Sequence, residues 1–170
     1  RKKLAERRAE LQDPWCIGFF VDNELHWGDE FYLAKCVLKS HADMPAKKVF
    51  AQCMKDKYGD IGKLNAAWET SYANWEDFLM QTAADKGDLT EFSRRVAEKY
   101  FEVVRSEMKA VAPKKLYLGC RFAGVNQLVL RAAAKYCDAM SFNIYSDSVR
   151  DFKLPAGIDK PVIIGEWHFG

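Results

Sequence analysis

The sequence predicts an α/β fold built on parallel strands, and three observations predict it. Four short runs are almost continuously apolar and rich in aromatic or β-branched residues, as in strands covered on both faces. They are CIGFFV at 16–21, LYLGCRF at 116–122, DAMSFNIY at 138–145 and PVIIGE at 161–166. Helical segments separate the first three, and apolar strands joined through helices pair in parallel by right-handed crossovers. No glycine-rich dinucleotide or P-loop signature follows any of them, so nucleotide-binding α/β folds lose support.

The elements follow in order. Residues 2–12 mix charge with Leu4, Ala5, Ala9 and Leu11 and suit a helix tail, broken by Asp13-Pro14. The first strand ends in the polar cluster 22–28. Residues 29–85 are long and irregular, with a helix over 47–58, a second stripe through Ile61, Leu64, Ala67 and Trp68, and a third at Trp75, Phe78 and Leu79. Asp88-Leu89-Thr90-Glu91 has capping-box spacing, with Asp88 as the cap of a long amphipathic helix to about Ala112, stopped by Pro113. The second strand, a short Leu- and Ala-rich helix over 126–136, and the third and fourth strands complete the chain.

Composition narrows the function. The chain has 170 residues, 49% of them hydrophobic, enough for one packed core and too apolar for disorder. Twenty-six basic residues against 24 acidic ones give +2, a near-balance that does not suggest a nucleic-acid binder. No stretch approaches the roughly 18 apolar residues of a membrane span. The start, Arg1-Lys2-Lys3, has neither Met nor an apolar run behind it, so no signal peptide is expected here and the chain reads as a piece of a longer one. The five cysteines are odd in number and lack metal-ligand spacing; Cys16, Cys120 and Cys137 read as small buried hydrophobes.

All four strands end in chemically capable residues: Asn23-Glu24, Arg121, Asn143 with Tyr145, and Glu166-Trp167-His168. Active sites of (β/α)8 barrels gather at those ends, so the pattern is that of a barrel segment with parallel strands and intervening helices. Glu24 and Glu166 each follow an apolar strand directly. A carboxylate there is costly unless it is solvated, paired or used. Two facing one cavity roughly 5 Å apart provide retaining glycoside hydrolysis, one attacking the anomeric carbon and the other protonating the leaving oxygen. The same positions also suit solvated or salt-bridged strand-end residues.

Three motifs carry a family resemblance. GFFVDNE at 18–24 resembles the acid/base motif of clan A glycoside hydrolases, where an Asn-Glu pair ends the fourth barrel strand. PVIIGEWHFG at 161–170 resembles the seventh-strand nucleophile motif, and YGDIGKLNAAW at 58–68 is similar to a segment of β-galactosidases and agarases in that clan. Two strands lie between the two glutamates, as the fifth and sixth barrel strands require. The resemblance implies a partial (β/α)8 barrel, its fourth to seventh strands, spread over residues 1–170. It implies Glu24 as general acid/base, Asn23 as the partner of the sugar 2-hydroxyl, Glu166 as nucleophile, and Tyr145 as the hydrogen-bond donor that keeps Glu166 ionised. Arg121 would pair with Glu166 or contact substrate.

Aromatic residues add a second line. Trp27, Phe31, Tyr32, Trp68, Tyr72, Trp75 and Trp167 lie beside or between the motifs, and sugar rings stack on flat apolar surfaces. Trp68 and Trp75, at helical spacing, read as core, whereas Trp27 and Trp167, next to the carboxylates, read as substrate contacts. His26 and His168 read as substrate hydrogen-bonding residues, and His41 as solvated. Asp22, Glu24, His26 and His168 lack metal-binding spacing, so no metal or other cofactor is expected. No strand-end Lys supports an aldolase Schiff base.

The expected function is a retaining glycosidase on β-galactosides or galactose-containing polysaccharide, with an oligo- or polysaccharide as partner and neither nucleic acid nor membrane. A complete barrel needs about 200 residues or more. The alternative is therefore a catalytically incomplete carbohydrate-binding piece that needs the rest of its barrel, or a second copy, to cover open sheet edges. The location is extracellular or periplasmic if the whole protein degrades polysaccharide, and otherwise cytoplasmic.

Overall fold

The computed structural model describes residues 2–80 and 84–168, and their backbone forms eight helices and four strands. The chain divides into two compact units, residues 1–28 with 97–170, and residues 29–96. The long helix α7 (Lys86–Val111) contributes to both. Among the described residues no helix is long and apolar enough to cross a membrane.

The first unit carries the sheet. β1 (Gly18–Phe19) pairs in parallel with β2 (Leu116–Tyr117), and β3 (Met140–Asn143) with β4 (Val162–Glu166). A parallel bridge between Phe122 and Phe142 links the two pairs, so the strands follow one another in chain order. Parallel pairing agrees with the sequence expectation. The strands are shorter than their apolar runs, because regular pairing breaks where the run from β2 passes through left-handed backbone at Gly119 (φ 82°) and Arg121 (φ 48°). A Cβ at position 119 would stand 3.1 Å from the Ser141 hydroxyl oxygen, so glycine answers both the angle and the crowding. Hydrogen bonds still run past the short strands, from Leu118 N–H to Phe19 O and from Val21 N–H to Gly119 O.

β3 is buried along its whole length, as expected. β1 corrects that expectation: Ile17 and Phe20 are exposed, because among the described residues β1 has a strand neighbour on one side only. α1 (Lys2–Ala5) and α2 (Arg8–Gln12) replace the single helix expected over 2–12, with the break at Glu6-Arg7. α8 (Gln127–Tyr136) starts where Asn126 caps it by accepting from Val129 N–H at 3.0 Å. Cys120 and Cys137 are free thiols buried in this core, and burial pushes both up to about 12; Cys16 is half-buried.

Asp138 fastens this unit. Burial favours its neutral form, but the Tyr117 N–H at 2.9 Å, Arg105 at 2.8 Å and Lys109 at 2.9 Å outweigh that and hold the carboxyl at about 2. An acid lowered on folding stabilises the fold above its unfolded pKa, near 4, and that contribution is lost as pH falls toward the folded value. The Asp138 share is about 2 kcal/mol at neutral pH. Urea unfolding at pH 6 and pH 3 should therefore show a smaller acid-induced loss of stability in Asp138→Asn than in the unsubstituted chain.

The second unit is helical: α3 (Tyr32–Lys39), α4 (Pro45–Tyr58), α5 (Ile61–Trp68), α6 (Trp75–Met80) and the start of α7. Its core centres on Phe50, Leu64, Phe78 and Phe92, with Trp68, Tyr72 and Trp75 packed against it. The segment is thus more regular than the sequence suggested, and α3 is an added element. Lys47 is buried at its C-terminal end, where its ammonium donates to Leu38 O at 2.7 Å and Ser40 O at 3.1 Å, carbonyls that a helix end leaves open.

The cap of α7 is also corrected. Asp85 Oδ1 accepts from Gly87 N–H at 2.8 Å and Asp88 N–H at 3.3 Å, so Asp85 caps the helix. Asp88 instead turns inward, 2% exposed, and accepts from Lys57 (2.6 Å), Tyr58 (2.6 Å) and the Trp68 indole (2.8 Å).

Candidate active site

The motif at 58–68 resolves into structural roles inside the helical unit. Tyr58 and Trp68 are its first and last residues, and both donate to one oxygen of Asp88. Between them Asp60 caps α5 through Lys63 N–H at 3.0 Å, and Leu64 fills the core. Asn65 folds the following loop back, donating to Tyr72 O and accepting from Tyr72 N–H, both at 2.9 Å. Trp68 and Trp75 are packing residues, as their spacing suggested.

The chemistry gathers at the C-terminal strand ends of the other unit. Past β1 the chain turns through Asp22 (φ 63°) and Glu24 (φ 50°), and past β2 through Arg121 (φ 48°). Only four non-glycine residues among those described have positive φ, and three of them are these. Left-handed backbone costs a residue with a Cβ about 1 kcal/mol or more, and such strain concentrates where a site needs a particular direction. Here it is held by bonds: Tyr100 donates to Asp22 at 2.5 Å, and Glu24 N–H is shared between Cys120 O and Arg121 O. Burial, then the bond to Asp22, pushes the Tyr100 phenol far up, so it remains a donor.

Two carboxylates result, each with fixed partners. Glu24 Oε1 accepts from the Asn143 amide at 2.7 Å, and the same amide reaches Asn23 Oδ1 at 3.3 Å. Glu166, at the end of β4, pairs with Arg121 at 3.1 Å and accepts from the Tyr145 hydroxyl. That bond to Glu166 raises the Tyr145 pKa. Asn143 and Glu166 are register partners across β3 and β4, so Asn143 neighbours both acidic groups. Gly165 makes this possible by its size: a Cβ there would stand 2.6 Å from Arg121 Cδ and 3.1 Å from Asn143 Oδ1.

Other expected site residues divide. His168 lies against the Tyr145 ring at 4.7 Å, and the exposed Trp167 indole donates to Ser146 O at 2.8 Å. His26 is exposed beyond Glu24; Phe169 and Gly170 of the last motif lie outside the described residues. Trp27 is a correction. It is only 4% exposed, stacked on Phe101 at 5.5 Å and edge-on to Tyr100 at 5.4 Å, so it is core and not a substrate platform. Burying an indole is strongly favourable, and the left-handed turns send it under the strand ends. His41 is exposed, as its polar surroundings suggested, and pairs with the similarly exposed Asp43 at 2.6 Å. Asn143 is the residue that sequence reasoning left without a role. Among the described residues no three His, Cys, Asp or Glu side chains form a metal-holding group.

Parallel strands ending in partnered carboxylates place the chain in the α/β class, and comparison with known proteins narrows it to relatives of beta-agarases. Its homologues are beta-agarases. It is 39% identical over 188 residues to Beta-agarase B of Vibrio sp. (strain JT0107), an alignment covering 99% of this chain and 20% of that protein. The crystal structure of an agarase, AgWH50C, superposes with a TM-score of 0.83 at 37% identity, covering 99% of this chain and 26% of that one. A beta-galactosidase from the haloarchaeon Halorubrum lacusprofundi, at 18% identity and TM-score 0.58 over 91% of this chain and 24% of that one, shares the fold. No protein-family model matches the chain. The chain spans about a fifth of the length of the curated relatives it matches.

Proposed function

We propose that the chain is the catalytic middle of a clan A retaining glycoside hydrolase acting on the β-galactosidic linkages of agarose-type polysaccharide. In this reading it supplies the fourth to seventh strands of a (β/α)8 barrel. The observation that carries the reading is the pairing of Glu24 and Glu166 through one strand end, Asn143 bonding the first and standing in register with the second. The beta-agarase relatives support the substrate class.

Hydrolysis follows two displacements. Glu166, oriented by Arg121 and Tyr145, attacks the anomeric carbon while Glu24 gives a proton to the departing oxygen. Glu24 then takes a proton from water, which releases the sugar from Glu166. Asn23 lies beside Glu24 to bind the 2-hydroxyl, a contact that strengthens in the transition state. In this reading Trp167, His168 and His26 contact the substrate. Proton NMR of the full-length protein digesting agarose oligosaccharides tests this: the β-anomer should appear first, and initial release of the α-anomer would contradict double displacement.

A second reading is favoured by the exposed Val162 on β4 and Ile17 beside β1. It makes the isolated chain a carbohydrate-binding piece without turnover, completed by further strands or by a second copy. Equal activity of the 170-residue chain and the full-length protein, with the chain monomeric in sedimentation, would contradict it.

A further inference from the structure

We propose that Asn143 is the positioning residue of the acid/base carboxylate: its amide N–H holds Glu24 Oε1 in the direction of the leaving group. This inference rests on the proposed role of Glu24.

The amide has a direction that packing alone does not require. Its Nδ2 faces Glu24 at 2.7 Å and Asn23 at 3.3 Å. Its Oδ1 makes no hydrogen bond among the described residues, although Asn143 is only 5% exposed. Leaving a buried acceptor unmade costs about 1–3 kcal/mol, and flipping the amide would instead set an oxygen against the Glu24 carboxylate. The observed arrangement accepts the first cost to give Glu24 a donor. Oδ1 lies on the Gly165 side, where an added Cβ would stand 3.1 Å from it, so glycine there leaves the Asn143 side chain the room it occupies. Glu24 itself is on an exposed, left-handed turn and has no other side-chain hydrogen bond among those the structure shows. Removing the amide frees its carboxylate to rotate.

A misplaced proton donor penalises the first displacement only where the leaving group needs the proton, whereas the second displacement needs Glu24 as base whatever has left. Phenyl and 2,4-dinitrophenyl β-glycosides of an agarose-derived oligosaccharide separate the two cases, since dinitrophenolate leaves without assistance. In the full-length protein, Asn143→Ala and the isosteric Asn143→Asp should lower kcat/KM, which reports the first displacement, about 10²-fold on the phenyl glycoside and less than about 5-fold on the dinitrophenyl glycoside. Glu24→Gln, assayed alongside, should show the same selectivity more strongly. Equal losses on both glycosides in the Asn143 variants, with selectivity kept in Glu24→Gln, would overturn the positioning role alone. Absence of selectivity in Glu24→Gln, or of turnover in the unsubstituted protein, would overturn the reading of Glu24 itself.

Discussion

Replacing Glu166 by glycine in the full-length protein should lower turnover by more than about 10⁴-fold, and added azide should restore part of it. Glycine leaves a space where the carboxylate stood, and azide is a small anion able to attack the anomeric carbon from that side. The product is then a glycosyl azide of inverted configuration, which mass spectrometry and NMR identify. Arg121 and Tyr145, left without their carboxylate, are well placed to receive the anion. Glu24→Gln should cost about 10² to 10⁴-fold, the usual range for a general acid/base. Near-normal turnover of either variant would remove the proposed mechanism.

Asp88→Ala should destabilise the helical unit by about 3 kcal/mol, the largest effect expected outside the site. The carboxylate is 2% exposed, and its three donors come from α4 and α5. Burial opposes its charge, but Lys57, Tyr58 and Trp68 together lower its pKa. Alanine removes all three bonds and leaves the Tyr58 hydroxyl and the Trp68 indole without their acceptor. Lys57 is half in solvent and rehydrates, so most of the loss falls on the other two. Asp88→Asn keeps one acceptor and should lose less. Urea unfolding monitored by Trp fluorescence separates the variants, and an unchanged midpoint for Asp88→Ala would show that these bonds hold nothing together.

The positions of Glu24 and Glu166 were legible because each follows an apolar run at once, a place that suits a solvated or paired carboxylate as well as a working one; the partners each holds were not. The parallel pairing was legible from the helices between the runs. Asn143 was not, since an amide at a strand end is unremarkable until a partner 119 positions away is known. Trp27 misled because nearness along the chain is not nearness in space once two left-handed residues reverse the backbone. Helix α3 escaped because it is only eight residues long and Phe31 gives it no side-chain cap. Asp88 passed for a cap because Asp85 and Asp88 both suit a helix start, and only packing decides which one turns inward.

The half-buried bond between Asn143 and Glu24 also implies an order in time. Its partners are separated by 119 residues, and the Glu24–Glu166 pair by 166 − 24 = 142. At about 5–20 residues per second, a ribosome makes Glu24 roughly 7–28 seconds before Glu166. During that interval the nascent chain holds β1 and then β2 without the strand that completes the site. The two carboxylates therefore meet only after β2, α8 and β3 have all been made, so Glu24 waits for its distant partners while the strands between them are synthesised.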